Sequence, residues 1–333
     1  MTKCASMAEL RLNPLSDEWV VIAADRQERV YRPPLEDCPL CPTSVNVDEF
    51  SEIPFDEFEV AVFENRFLAL STNADDDDGV NRTDPYQSAP AYGHCEVVVY
   101  SDDHQQTFSD LSIERVQLLI DVWIDRCTTL GSDAGVHYVL PFENKGERVG
   151  ATLGHPHGQI YAFPYIPPRV RQHLVAAKNY LMARQRCAQC DVCVREIDTT
   201  ERLLMDTKSW LVFVPFAPQF PYESHVVPKR HLSSLGALNE EEKLELATVL
   251  SSLTKSYDRL WDFSLPYVMA IHQRPVNDEM EWDRFCHLRF EFKPVNRGAT
   301  NIKFLAGVEL AAGTFIVDVR PEDAAAQLRT ALR

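Results

Sequence analysis

The same order of chemical features occurs in both halves of this 333-residue chain. Each half has a C-x-x-C pair, short apolar strands, a turn that carries a histidine, a long amphipathic helix and a later strand with a second histidine. A repeated order of this kind indicates a duplicated unit. We therefore predict an α+β fold of two tandem units with antiparallel sheets and packed helices, residues 1–180 and residues 181–333.

Local patterns predict the long helices. Apolar residues recur at helical spacing in residues 109–130 and 239–260, and each stretch has a serine or asparagine that can cap its first turn. A last helix is predicted for residues 321–332. Residues 301–309 combine basic and apolar side chains, which we interpret as a strand with a binding edge.

The charge balance limits the partners of the chain. Its 33 Lys and Arg residues face 50 Asp and Glu residues, a net charge of −17. Such a chain repels nucleic acid and anionic membranes, so an anionic ligand needs a local positive patch. No apolar run approaches the roughly 20 residues that span a bilayer, and the first residues do not resemble a signal peptide. We predict a cytoplasmic protein without nucleic acid or membrane partners, in which the four aspartates of residues 75–78 form a mobile loop.

The nine cysteines are an odd number, and several of them form C-x-x-C pairs, which favours metal binding or reduced thiols over disulfides. Each predicted metal site joins such a pair to two histidines, and two thiolates with two imidazoles suit tetrahedral zinc. Cys193 could replace Cys187, because two overlapping pairs share Cys190. No open position is evident, so we predict two structural zinc ions per chain. Their ligands are Cys38, Cys41, His104 and His155 in the first site, and Cys187, Cys190, His231 and His287 in the second.

The motif His155-Pro156-His157-Gly158-Gln159 carries the candidate chemistry. Side chains alternate along an extended chain, so the two histidines and the glutamine would share one face. Proline cannot donate to a ladder, and glycine has no side chain to pack. We therefore predict that this strand lies beside a site rather than deep in a sheet.

His157 is the candidate nucleophile. Imidazole attacks phosphorus well, and a phosphoramidate can pass the group on, so double displacement needs no cofactor. Gln159 can donate hydrogen bonds to phosphate oxygens without supplying a proton. The small residues of segment 144–150 let backbone amides approach a phosphate, and Arg26 and Arg29 could clamp one.

A resemblance to a known family extends over nearly the whole chain. It rests on HPHGQ with FENKG before it, and on NPLSDEWVVIAADRQER, CPLC, FENRF, YSDDHQQTFSDL, PFAPQFPYESHVVPKRH and KFLAGVEL. The chain resembles galactose-1-phosphate uridylyltransferases, which belong to the histidine-triad superfamily. The resemblance implies two histidine-triad-like units and transfer of UMP between UDP-glucose or UDP-galactose and hexose 1-phosphates, a reaction of galactose metabolism.

The resemblance also implies roles for individual residues. His157 matches the histidine that becomes uridylylated. The positions that hold the uridine and the phosphates match Arg26, Arg29, Asn65, Asn144, Gly150, Thr152 and Gln159. Lys303, Phe304, Val308 and Glu309 fall in the segment that contacts the hexose. In the family this segment comes from the partner subunit, which implies a homodimer with shared active sites.

The chain departs from the family pattern in three places. An aspartate that follows the nucleotide-binding asparagine is Arg66 here, and a late glutamine of the hexose segment is Phe315. The iron site of some members corresponds to His173, His272, Arg289 and Glu291, and no iron is expected because arginine is a poor ligand. The second zinc site resembles that of other members of the family, whose register favours Cys187 with Cys190 over Cys193.

Two other functions remain open from the sequence. The first is a phosphorylase or adenylyltransferase of the same superfamily, acting on a nucleoside-diphosphate sugar or a dinucleoside polyphosphate with inorganic phosphate as acceptor. The second is a non-catalytic, zinc-stabilised nucleotide-binding protein. The base, the sugar and the oligomeric state are not determined by the sequence.

Overall fold

A nine-stranded antiparallel sheet and a separate four-stranded sheet form the β structure. The computed structural model describes residues 8–28, 33–34, 37–42, 51–55, 57–73 and 82–333. The strands are, in chain order, β1 (Glu9–Asn13), β2 (Glu18–Ile22), β3 (Ala61–Glu64), β4 (Arg82–Thr83), β5 (Tyr86–Pro90), β6 (His94–Val99), β7 (Tyr138–Lys145), β8 (His157–Phe163), β9 (Leu203–Asp206), β10 (Trp210–Phe213), β11 (Ser224–Pro228), β12 (Tyr267–His272) and β13 (Arg289–Pro294).

The α-helices pack on this sheet and on each other. They are α1 (Ile113–Gly131), α2 (Pro168–Arg184), α3 (Ala188–Thr199), α4 (Glu240–Arg259), α5 (Gly307–Ala312) and α6 (Pro321–Leu332). The predictions for residues 109–130, 239–260 and 321–332 are confirmed. Ser112 caps α1 by accepting from the backbone N–H of Arg115. Asn239 and Glu242 form a reciprocal capping box at the start of α4.

The strand order of the large sheet reflects the duplication. It runs β3-β6-β8-β7-β12-β13-β11-β10-β9, so the first four strands are mirrored by β12, β13, β11 and β10. The two halves join where β7 pairs with β12, and α1 packs against α4. The predicted α+β fold with antiparallel sheets and packed helices is confirmed. The sheets of the two halves, however, form one continuous sheet, and the boundary near residue 180 stays a prediction.

The main core lies between the large sheet and helices α1, α4 and α6. Trp123 of α1 is buried and stacks on Phe108, with ring centroids 6.5 Å apart. Trp210 of β10 meets Phe290 of β13 edge-on, at 6.1 Å. Burying one large apolar side chain stabilises the fold by about 1.5–3 kcal/mol. Because the core contains such side chains from both halves, it holds the two halves on one sheet.

The predicted strand over residues 301–309 is wrong. This segment contains only an isolated bridge between Asn296 and Ile302, and it continues into the short helix α5. Glu309 accepts from the backbone N–H of Ala306 at the start of that helix. Gly313, with a φ of 65°, ends it in the left-handed conformation that glycine favours.

Two predictions made from the sequence lie outside the described residues, namely the role of Arg29 and the acidic loop of residues 75–78. Among the described residues, every helix is too short or too polar to cross a bilayer. The cytoplasmic location stays a prediction.

Glu143 is a buried carboxyl on β7 where the two halves meet, and it is 3% exposed. Its Oε2 lies 3.4 Å from the Tyr267 hydroxyl. The nearby Lys145 ammonium is bonded instead to Asp258 of α4, at 2.7 Å. Burial raises the pKa of Glu143 to about 8, although Lys145 and Tyr267 act in the opposite direction. The carboxyl is therefore protonated at neutral pH.

This raised pKa predicts a loss of stability as the pH increases. The unfolded chain releases the Glu143 proton near the ordinary pKa of 4.5, whereas the folded chain keeps it up to about 8. The contribution of Glu143 to stability is therefore fully present below pH 4.5, and it is lost as the pH rises from 4.5 to about 8. We expect Glu143→Gln to raise the free energy of unfolding at pH 8 by on the order of 3 kcal/mol relative to wild type.

The measurement is denaturant unfolding of the metal-loaded protein across this pH range. Glu64→Gln, which removes an exposed carboxylate on β3, is the matched control and should follow the wild-type pH profile. Identical pH profiles for wild type and Glu143→Gln would contradict the assignment of a protonated Glu143.

Candidate active site

The HPHGQ motif spans the start of β8, and this strand lies between β6 and β7 in the sheet. His157 lies opposite Val99 of β6, and Gln159 lies between Val97 of β6 and Phe142 of β7. The prediction that this strand avoids the interior of a sheet is therefore wrong. Pro156 precedes the first strand residue, so its missing N–H costs no ladder hydrogen bond.

Gly158 is required because its two neighbours approach very closely. A Cβ atom here would lie 2.1 Å from the Tyr100 hydroxyl and 2.9 Å from the carbonyl oxygen of Phe142. Any larger residue would push β8 away from β6 and β7. The glycine thus lets the strand that carries His157 lie inside the sheet.

The ring of His157 is oriented by its own backbone neighbour. Nδ1 donates to the carbonyl oxygen of His155 at 2.8 Å. Burial lowers the pKa of His157, and this hydrogen bond opposes the shift only in part. The ring is therefore neutral at physiological pH, with the proton on Nδ1 and the lone pair on Nε2. This is the form in which imidazole acts as a nucleophile.

Two cavities meet at His157. The larger has a volume of about 320 Å³ and is lined by the loop before β8 and the end of β7, including Asn144, Gly146 and Thr152. The smaller has a volume of about 100 Å³ and also includes Gln159. Half of its lining residues are apolar, namely Pro39, Leu40, Phe63, Phe67, Val97 and Leu153, and we call it the apolar slot after them. His157 thus borders both the larger cavity and the apolar slot.

Asn65 and Gln159 are hydrogen-bonded in the smaller cavity. The amide of Asn65 donates to Oε1 of Gln159 at 3.4 Å, and Oδ1 of Asn65 accepts from the N–H of Phe67. The amide nitrogen of Gln159 is therefore directed away from Asn65 and can donate to a ligand beside His157.

The other predicted phosphate ligands differ in whether they border the cavities at His157. Asn144 and Thr152 line the larger cavity. Gly150 ends a tight turn with a φ of 87° and donates to the carbonyl of Glu147. Arg26 donates to the carbonyl oxygen of Phe67 at 2.7 Å, so it supports the apolar slot from behind. Its action as a phosphate clamp stays a prediction.

The predicted hexose segment lies apart from His157. Lys303 and Glu309 are bonded to each other at 2.9 Å and are both buried. Phe304 is 75% exposed and Val308 is 46% exposed. Among the described residues, these four side chains line neither cavity at His157. Within one chain the segment is thus outside the site.

The first predicted metal set comes together next to the motif. The ligand atoms of Cys38, Cys41, His104 and His155 all lie within 4.8 Å of one another. Sγ of Cys41 is 3.4 Å from Nδ1 of His104 and 3.6 Å from Nδ1 of His155. The other nitrogen of His155 donates to the carbonyl of Ser101, and burial lowers its pKa to about 4. A neutral ring with a free Nδ1 is what a metal ion requires.

The second set has the same arrangement in the other half. Cys187, Cys190, His231 and His287 also lie within 4.8 Å of one another. Nε2 of His231 donates to the carbonyl of Asp283, and Nε2 of His287 donates to the carbonyl of Pro228. Cys193 lies instead in an apolar cluster with Leu211 and Phe213. The structure therefore groups Cys187, and not Cys193, with Cys190.

The positions of the implied iron site are occupied by an ion cluster. Arg289 donates to Glu291 at 2.8 Å and to Nδ1 of His173 at 2.7 Å. Glu291 also lies 2.7 Å from the Lys293 ammonium and 3.2 Å from His272. Two cationic side chains already neutralise the carboxylate, so these residues do not fit an iron ion.

A third group of possible metal ligands was not predicted from the sequence. It consists of Glu223, His225 and Glu291. Glu223 accepts from the backbone N–H groups of Gln219 and Phe220 and from His225. Both carboxylates of the group thus have internal partners, and we assign no metal to it.

Comparison with known proteins identifies the family. The model of the N-terminal domain of galactose-1-phosphate uridyl transferase matches residues 2–167, and that of its C-terminal domain matches residues 173–333. A galactose-1-phosphate uridylyltransferase of Thermotoga maritima is 39% identical over 325 residues, which cover 97% of this chain and 98% of the relative. The chain belongs to the galactose-1-phosphate uridyl transferase family. The resemblance seen in the sequence is confirmed, and the family is one of nucleotidyltransferase enzymes.

Solved structures agree with this family. A uridylyltransferase structure has a TM-score of 0.85 at 30% identity and covers 97% of this chain and 98% of its own. An ADP-glucose phosphorylase of Arabidopsis thaliana, solved with ADP-glucose bound, has a TM-score of 0.74 at 24% identity, with the same coverage. The second likeness shows a shared fold only.

The apolar slot is the part of the site that the sequence analysis missed. Its walls come from the C-x-x-C segment, from β3 and the loop after it, and from β6. These segments are far apart along the chain, and no local pattern links them. Leu40, for example, lies within the C-x-x-C pair, where only the cysteines attracted a functional interpretation.

Gly158→Ala should destabilise the protein, because the new methyl group overlaps the Tyr100 hydroxyl. Overpacking of this kind costs about 1–3 kcal/mol. Removing the hydroxyl as well, in Gly158→Ala with Tyr100→Phe, should recover part of the loss. The free energy of unfolding of both variants and of Tyr100→Phe alone measures this. A double variant no more stable than Gly158→Ala would contradict the steric cause.

Proposed function

We propose that this chain is a UDP-glucose–hexose-1-phosphate uridylyltransferase that moves UMP through a covalent uridylyl-histidine on His157. One observation supports this most strongly. The neutral imidazole of His157, with Nδ1 bound to the His155 carbonyl, borders both the larger cavity and the apolar slot. Such a centre can accept a nucleotide in one cavity and exchange sugar phosphates in the other.

The two cavities suit the two parts of a nucleotide sugar. We assign the nucleoside to the apolar slot, because its flat walls include Phe63 and Phe67. The larger cavity receives the departing sugar phosphate near Asn144 and Thr152. Arg26, Arg29 and Gly150 remain proposed phosphate ligands.

In the first step, Nε2 of His157 attacks the α-phosphorus of UDP-glucose. The bond from this phosphorus to the bridging oxygen breaks, and glucose 1-phosphate leaves with the electron pair. The ring becomes cationic and keeps its Nδ1 proton on the His155 carbonyl, which stabilises the charge.

In the second step, a phosphate oxygen of galactose 1-phosphate attacks the same phosphorus. The N–P bond breaks, UDP-galactose forms and His157 returns to its neutral state. The Gln159 amide nitrogen can hold a nonbridging oxygen in both steps, because Asn65 engages its other end. An amide neither gives nor takes a proton at neutral pH, so it does not activate water.

Donor labelling without an acceptor tests this proposal. We expect the protein to retain radiolabel from UDP-glucose labelled at the α-phosphorus, in a form that galactose 1-phosphate releases as UDP-galactose. His157→Gly should abolish both labelling and transfer, since in the described part of the chain His157 is the imidazole that borders both cavities. Label from ADP-glucose in preference to UDP-glucose would support an adenylyl-transferring phosphorylase instead. Absence of label from both donors would favour a non-catalytic protein.

We further propose that the two Cys and His sets bind zinc and act structurally. Each set offers two sulfur and two nitrogen ligands. His155, His231 and His287 each hold the second ring nitrogen on a backbone carbonyl. Such a set fills a tetrahedral ion and leaves no open position for substrate. The ion cluster around Arg289 supports the further proposal that the chain binds no iron at these positions.

Metal analysis tests the zinc proposal. We expect about two zinc ions per chain in wild type and about one in either Cys41→Ser or Cys190→Ser. Cys193→Ser is the matched control and should keep both ions, because Cys193 lies outside the second set. Only one ion in wild type, or loss of zinc in the control, would contradict the assignment.

We also propose that the active form is a homodimer in which the hexose segment acts on the partner's site. Two observations support this. Lys303 and Glu309 stiffen the segment by pairing with each other, and Phe304 and Val308 are exposed. A preformed, apolar and exposed segment distant from its own His157 suits a role at another chain's site.

Mixing two defective variants tests the shared site. One chain carries His157→Gly, and the other carries Phe304→Ala with Val308→Ala, which should be strongly impaired alone. In mixed dimers one of the two sites has both intact parts, so co-refolding should restore up to about a quarter of wild-type activity. Activity no greater than the sum of the separate variants would contradict a shared site.

A further inference from the structure

We infer that Glu52 recognises the ribose diol of the bound nucleotide and so determines the preference for ribonucleotide over deoxyribonucleotide donors. This inference rests on the proposed function, because it needs the nucleoside in the smaller cavity. It starts from one observation. Of the described residues that line this cavity, Glu52 alone carries a carboxylate.

The position of Glu52 is determined by hydrogen bonds to the C-x-x-C loop. Its backbone N–H donates to the carbonyl oxygen of Pro39 at 2.8 Å. The adjacent Ser51 hydroxyl donates to the carbonyl oxygen of Cys41 at 2.7 Å. The segment is therefore attached to the C-x-x-C loop on both sides of Leu40, which is itself a wall of the slot.

Among the described residues, the carboxylate of Glu52 has acceptor positions that no hydrogen bond uses. The cation beside it there is Arg66, whose Nη1 lies 3.8 Å from Oε1, too far for a hydrogen bond. The Arg66 side chain is 67% exposed and that of Glu52 is 29% exposed. The guanidinium thus offers charge compensation at the mouth of the cavity without using the carboxylate oxygens.

The chemistry of a carboxylate fits a ribose. Two adjacent hydroxyl groups are two donors, and the two oxygens of one carboxylate can accept both. Carboxylate recognition of ribose hydroxyls is also how many dinucleotide-binding sites select their ligand. Asn65, another polar residue of the cavity, is already bonded to Gln159 and to the backbone of Phe67.

Donor discrimination is the direct test. The specificity constant kcat/KM is measured for UDP-glucose and for 2′-deoxy-UDP-glucose, with galactose 1-phosphate as acceptor. A hydrogen bond to a charged acceptor corresponds to a preference of about 10- to 100-fold for the ribonucleotide in wild type. Glu52→Gln leaves one acceptor and should lower this preference at least about tenfold, mainly by raising KM for UDP-glucose.

The controls separate the possible failures. Glu57→Gln changes an exposed carboxylate that does not line the cavity, and it should keep the wild-type preference. Equal thermal stability of wild type and Glu52→Gln shows that the fold is retained. A wild-type preference in Glu52→Gln, or no preference in wild type, overturns the role of Glu52. Absence of transfer from either donor in wild type would instead overturn the proposed function.

Discussion

A single hydrogen bond, from Nδ1 of His157 to the carbonyl oxygen of His155, connects the scaffold to the chemistry. The side chain of His155 lies in the first Cys and His set, and its Nε2 is held by the Ser101 carbonyl. A residue with both ends restrained presents its carbonyl in a defined place. That carbonyl selects the tautomer of His157 and orients Nε2 toward the two cavities. A metal ion in the set would therefore act on the reaction through position and not by contact with substrate.

The second half uses the same scaffold for a different purpose. His287 lies in its Cys and His set as His155 does in the first, and two residues later Arg289 takes the place of His157. Arg289 is engaged by His173 and Glu291, so this strand carries a satisfied ion cluster instead of a free nucleophile. The two halves thus differ at this position, which holds a neutral imidazole beside two cavities in the first half and an ion cluster in the second.

Features that depend on neighbouring residues were predictable from the sequence. The capping box of Asn239 and Glu242 is a local interaction, and it marks the start of α4. The shared face of His157 and Gln159 follows from strand alternation alone. Apart from the two Cys and His sets, which the repeated order of the halves indicated, features that depend on contacts between distant segments were not predictable. The interior place of β8 depends on its pairing with β6 and β7, and the cavity position of Glu52 depends on its bond to Pro39. The wrong strand prediction for residues 301–309 has a different cause, because Lys303 bonds to Glu309 within that segment.

The atom that carries the uridylyl group is the most direct measure of this arrangement. Phosphorus–nitrogen correlation by NMR, on protein with ¹⁵N-labelled histidine after reaction with UDP-glucose, identifies it. The hydrogen bond between His157 and His155 predicts phosphorus on Nε2 of His157, with Nδ1 still protonated. Phosphorus on Nδ1, or on a residue other than His157, would contradict the central role of this hydrogen bond.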